Sequence, residues 1–142
     1  MADPTPLPPT PGSQSTRSPA SNPAVHWPRV KEILDGAIAD WRAAHNNLIP
    51  KLKRKHGPSF SWDTKADLAA ASAVIGGQPY RLIDPDLVAQ KKGAETNLIK
   101  ALRDPDGVDG NGQMPNGGPY LTDTHPAYID EIIQWINDGM PD

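Results

Sequence analysis

The stretch Pro126-Ala127-Tyr128-Ile129-Asp130-Glu131-Ile132-Ile133-Gln134-Trp135-Ile136-Asn137-Asp138-Gly139 decides the fold class. Ile129, Ile132, Ile133 and Ile136 recur at three- and four-residue steps, the period of one helix face, with Tyr128 and Trp135 on its flanks. Thr124 offers a cap, Pro126 suits a first helical turn, and Gly139 is a stop signal. The same period runs through residues 28–48, where Val30, Ile33, Leu34, Ala37, Ile38, Trp41, Ala44 and Leu48 form a continuous stripe. Pro28 opens that segment, Asn46 and Asn47 weaken it, and Pro50 ends it. His45 lies four residues after Trp41, at the edge of the stripe.

Between these helices the signals are shorter. Residues 51–62 read as a loop, and Phe60 and Trp62 return apolar mass to the core. A helix is predicted from about 64 to 75, capped by Asp63 or Thr64, with Leu68, Ala71 and Ile75 on one face and Gly76-Gly77 as its end. Tyr80-Arg81-Leu82-Ile83 lies between Pro79 and Pro85 and reads as extended packing, not as a sheet strand. Asp84-Pro85 starts a helical turn to about Lys92. Glu95 to Leu102 is a further helix with Leu98, Ile99 and Leu102 inward. Residues 103–122 carry too much glycine and proline for regular structure. No strand pair and no internal repeat is visible. The pattern predicts an all-α domain over residues 25–142, its two longest helices at its two ends.

Residues 1–24 are different in kind. Eight of the 17 prolines fall in the first 28 residues, and Leu7 is the only large apolar residue after Met1 in that arm. Such a segment cannot bury enough surface to offset its ordering entropy, so a disordered, partly polyproline arm is expected. It has no basic stretch followed by an apolar one, which argues against a secretory signal and for a cytoplasmic protein. No run of about 18 apolar residues exists, so no membrane span is expected. The net charge of -3 argues against a dedicated nucleic-acid binder. Lys51, Lys53, Arg54, Lys55 and His56 form a local basic run. It reads as solvated surface, with a docking patch for an acidic partner as the alternative.

The chain has no cysteine, which excludes disulfides, thiol catalysis and cysteine-held metals. His26, His56 and His125 share no metal-ligand spacing. No serine sits in a nucleophile elbow and no glycine-rich phosphate loop is present. Asp104 to Gly112 superficially suggests a calcium loop, but counted from Asp104 the fifth position is Val108 and the twelfth Pro115, and counted from Asp109 Met114 takes the glycine position and no acid sits at the twelfth. Asx-type turns explain that composition better. Nothing in the sequence points to an enzyme.

One long-range pairing stands out. Gln113-Met114-Pro115-Asn116-Gly117-Gly118-Pro119-Tyr120-Leu121 precedes the last helix, and Thr96-Asn97-Leu98-Ile99-Lys100-Ala101-Leu102 precedes that loop. Together with Ile129, Ile132, Ile133, Trp135, Ile136 and Gly139, residues 94–139 resemble the C-terminal half of class I cytochrome c domains. The likeness extends weakly to 28–48. In that family the first helix ends at a Cys-x-x-Cys-His haem-attachment site, and the Met-Pro loop supplies the second axial ligand. The resemblance implies that the axial histidine falls on His45, the axial methionine on Met114, and the two attachment cysteines on Trp41 and Ala44.

Both covalent anchors are therefore missing while both potential ligands remain. The resemblance implies a haem-free cytochrome c-like domain with terminal helices packed together. Trp41, Phe60, Trp62, Tyr80, Leu82 and Met114 are expected to replace the cofactor's buried area. Its function is expected to be that of a non-catalytic accessory or interaction domain with no cofactor. Its partner would be another protein, a redox enzyme being the class such domains accompany, with no nucleic acid and no membrane. The alternatives are an electron carrier holding noncovalent haem through His45 and Met114, and a small-ligand or metal binder using the old pocket.

Overall fold

The computed structural model describes residues 24–57, 59–75 and 77–142. Apart from Ala24, the proline-rich arm lies outside these residues. Val25 is already in the core. The first helix, α1, spans Trp27–Ala44 and buries Val30, Ile33, Leu34 and Ala37. It stops short of Leu48 because Asn46 and Asn47 both take the left-handed conformation, with φ of 58° and 59°. Asparagine tolerates that conformation better than most residues, and two in succession turn the chain sideways. Arg42 holds this turn with bonds from its guanidinium to the carbonyls of Asn47 and Leu48.

The last helix, here α7, spans Pro126–Asn137 and buries Ile129, Ile132, Trp135 and Ile136. It packs on α1: the rings of Trp27 and Trp135 lie 5.8 Å apart, and Arg29 donates to both carboxylate oxygens of Glu131 at 2.8 and 3.0 Å. Glu131, and after it Glu32, hold the Arg29 guanidinium above its ordinary range. Trp135, read from the sequence as a flank residue, is fully buried, whereas Ile133 is half-buried. The chain beyond α7 turns back so that the Pro141 carbonyl accepts from Trp135 Nε1 at 2.9 Å and from the Trp27 amide. That bond satisfies the indole's one polar group and allows complete burial.

The all-α expectation does not hold. After α2 (Leu52–His56) and α3 (Lys65–Ala70), the chain forms β1 (Ser72–Ile75) and β2 (Gln78–Arg81), an antiparallel pair. Ser72 faces Arg81 and Ile75 faces Gln78. The fold is mixed α/β, with helices predominating. The predicted helix over 64–75 ends at Ala70 because Val74 and Ile75 favour strand and Gly76-Gly77 separates two short apolar runs. Two glycines in that position are a hairpin signal as well as a helix stop. Thr64 caps α3 as expected, accepting from the Asp67 amide.

Beyond the hairpin come α4 (Pro85–Ala89), a single 3-10 turn (Gly93–Glu95) and α5 (Asn97–Arg103). Thr96, fully buried, caps α5 and donates its hydroxyl to the Gly93 carbonyl at 2.7 Å. The Asp104–Gly112 segment folds as turns, closed by Gly112 N–H on the Asp106 carbonyl at 2.8 Å. Gly107 has φ +65°, and a Cβ there would sit 2.1 Å from the Gly112 carbonyl oxygen, so this turn requires glycine. The segment from Gln113 leads through α6 (Leu121–Thr124) into α7. No helix among the described residues is long and apolar enough to cross a membrane.

Candidate functional site: an apolar cleft beside the end of the first helix

The end of α1 and the Met-Pro loop are joined by several bonds. The Met114 amide donates to the Ala101 carbonyl at 2.7 Å. Gln113 Nε2 donates to the Leu102 carbonyl at 2.9 Å and to Thr122 Oγ1 at 2.8 Å, tying the loop to α5 and α6. Trp41 Nε1 donates to the Asn116 carbonyl at 2.8 Å, tying the same loop to α1. His45 stacks on Trp41 with ring centroids 4.3 Å apart. Its Nδ1 lies 2.7 Å from the Trp41 carbonyl, which can only accept, so Nδ1 carries the hydrogen. Gly117 comes so close that a Cβ on it would be 3.1 Å from His45 Nε2, and its φ is +84°.

Beside this junction the structure leaves a cleft of about 300 Å³. Leu34, Ile38 and Trp41 of α1 form one wall, Leu98, Ala101 and Leu102 of α5 another, and Phe60, Trp62 and Ile75 a third. Met114 and Pro115 close one end, and Leu48 to Leu52 run along the opening. The volume falls at the lower end of small-molecule sites, which run from about 300 to 1,000 Å³. Among the described residues no acidic side chain lines the cleft.

The residues singled out in the sequence divide. Trp41 and Met114 line the cleft; His45 and Ala44 do not, and Ala44 is exposed. Phe60, Trp62 and Leu82 also line it, but Tyr80 does not; its hydroxyl donates to Asp109 on the glycine-rich loop. The expected filling of this space is incomplete. Trp41 is fixed to the wall by its bond to Asn116 and its stack on His45, and so does not swing into the centre.

Haem in the manner of the family would need an axial atom from His45 and one from Met114 facing a common cavity. Met114 lines the cleft but His45 does not: its Nδ1 is engaged with the Trp41 carbonyl and its Nε2 faces Gly117. Among the described residues no group of three or more histidine, aspartate or glutamate side chains could hold a metal ion.

Three lining features were not visible as a site in the sequence. Leu48 and Ile49 are 59% and 72% exposed at the opening, although the stripe places Leu48 on a buried face. His56, read as part of a solvated basic run, is only 9% exposed and lines the cleft. Its Nδ1 lies 3.3 Å from the Val74 carbonyl and its ring lies 4.8 Å from that of Phe60. Leu52 and His56 are four residues apart, on one face of α2, and that spacing was the available signal. No protein family, curated protein or solved structure matches this chain in either sequence or fold.

Proposed function

We propose that this protein is a non-catalytic binding domain, cytochrome c-like in its terminal helices and Met-Pro loop and free of covalent haem, that takes an apolar molecule into the cleft. The observation that carries this reading is the cleft itself. Aromatic and aliphatic side chains from α1, α5, the Phe60–Trp62 segment and β1 surround it, with few polar groups among them. Such walls offer water little to bond to, so displacing water by hydrocarbon is favourable at about 25 cal/mol per Å². Among the described residues no serine or threonine hydroxyl and no paired carboxylates line it, which is why binding, and not chemistry, is proposed.

The test uses N-phenyl-1-naphthylamine, a neutral apolar dye. Wild-type protein should take up one molecule per chain with a rise in dye emission. Ala101→Phe, which adds a ring to the α5 wall, should lose that uptake while still unfolding cooperatively. No saturable uptake, or uptake untouched by Ala101→Phe, would reject the cleft as the working site. Added haemin giving a Soret band with His-Met character would instead support an electron carrier.

The exposed Leu48 and Ile49 favour a second reading, in which a partner protein inserts a side chain at the opening. Ile49→Asp would then abolish partner binding.

A further inference from the structure

The cleft is apolar inside but not electrically neutral at its rim. Lys51 and Lys55 both line it, and no aspartate or glutamate among the described residues does. Neither lysine has an ion-pair partner among the described residues, whereas Lys31, Lys65, Arg29 and Arg103 all do. This is a local reversal in a chain whose net charge is -3. Arg54, on α2 with Lys55, adds a third exposed cation. His56 adds a buried polar group to the wall. The Val74 carbonyl can only accept, so Nδ1 donates to it and Nε2 is left without a protein partner among the described residues.

An apolar cavity with cations at its mouth and no anion within it selects for one kind of ligand. A neutral hydrocarbon would use the walls and ignore the lysines. A cationic amphiphile would meet like charge. A molecule with an apolar body and an anionic head uses both, and a lysine head on a flexible stem can follow a carboxylate without demanding a fixed geometry. We infer that the cleft binds an amphipathic organic anion, its apolar body between Trp41, Trp62 and Leu102 and its carboxylate at Lys51 and Lys55. This inference rests on the cleft being the binding site, and adds the charge of what it holds.

Dodecanoate, dodecanol and dodecyltrimethylammonium share one chain and differ in head charge. Each is titrated below its micelle concentration against the full chain, with tryptophan emission and calorimetry as readouts. Dodecanoate should bind one per chain, roughly tenfold tighter than dodecanol, with the ammonium weakest. Raising ionic strength should erase the dodecanoate advantage and leave dodecanol unchanged. K51E/K55E should reverse the order of the two charged probes while dodecanol stays the same. K51Q/K55Q serves if the charge-reversed variant is unstable, and should bring dodecanoate down to dodecanol. Equal affinity for dodecanoate and dodecanol, unaffected by salt and by both variants, would overturn the head-group assignment and leave the cleft reading intact. Failure of all three probes to bind would overturn both.

Discussion

Of the four tryptophans, Trp27 and Trp135 sit where α1 meets α7, and Trp41 and Trp62 sit in the walls of the cleft. The two regions share α1 but are built on opposite terms. At the α1–α7 junction the inward side chains of α7 are closed in: Ile129 is 3% exposed, and Ile132, Trp135 and Ile136 are 0%, with Trp27 and Ile133 half-buried around them. Even the polar atom of Trp135 is satisfied within the chain. At the cleft, Trp41 and Trp62 are only half-buried, and their N–H groups bond to the Asn116 carbonyl and to Asp35. Stability resides in the first region. The second gives up hydrophobic contact that the same side chains could have made, which is what a binding surface must do.

The difference predicts a graded response to substitution. Trp135→Ala should be the most damaging, at about 3–5 kcal/mol in denaturant titration, because the site is fully closed. Trp62→Ala should cost about 1 kcal/mol, since much of that ring already faces open space. Equal losses at the two positions would erase the distinction between core and cleft.

Gly107→Ala should follow, at about 2–3 kcal/mol, from the left-handed backbone and the clash with Gly112. Gly117→Ala sharpens the contrast on the cleft side. It should cost about 1–2 kcal/mol for its backbone alone and should also change Trp41 emission by pushing His45. An unaltered emission spectrum would show that the loop does not set the position of that ring.

Thr96→Ala should lower stability by about 1–2 kcal/mol, since it removes the cap of α5 and one of the two hydrogen bonds to the Gly93 carbonyl, leaving only that from the residue 96 amide. Differential melting in urea measures it.

The smallest effect concerns Tyr80, which joins the hairpin to the glycine-rich loop. Its hydrogen bond to Asp109 raises the phenol above its ordinary value. The protonated hydroxyl is the form the fold prefers. Its contribution is therefore complete below the unfolded value of about 10 and is lost as pH rises through the higher folded one. Tyr80→Phe should flatten that alkaline slope in a stability-against-pH series.

The long periodic segments carried most of the legible information. α1 and α7 were visible because their stripes extend over three turns or more, and Thr64 and Pro28 marked the starts of α3 and α1. The hairpin was not legible as such. A four-residue strand offers only two residues per face, and Leu68, Ala71 and Ile75 fit a helical spacing equally well. Pairing with Gln78–Arg81, which settled the matter, is a tertiary fact.

The site was legible in part. Trp41, Phe60, Trp62, Tyr80, Leu82 and Met114 were assigned to one region from a resemblance between distant segments, and all but Tyr80 line one cleft. What local sequence could not specify was the direction of each ring, and hence that the space stays open. Nor could it show that His56 turns inward while His45 turns to Trp41.

The hairpin has one more consequence. A two-stranded sheet has two outer edges, and an uncovered edge is a template on which another chain can add a strand. Here the carbonyls of Ser72 and Val74, on the outer side of β1, accept from Ser59 and His56. On the outer side of β2, Pro79 has no N–H to offer, and the Arg81 carbonyl accepts from Asn97 at 2.9 Å. Each edge is thus blocked by side chains or by proline, so the smallest sheet this chain could form is also one that does not grow. Val74, 44% exposed on that hairpin, can remain at the surface without inviting edge-to-edge self-association.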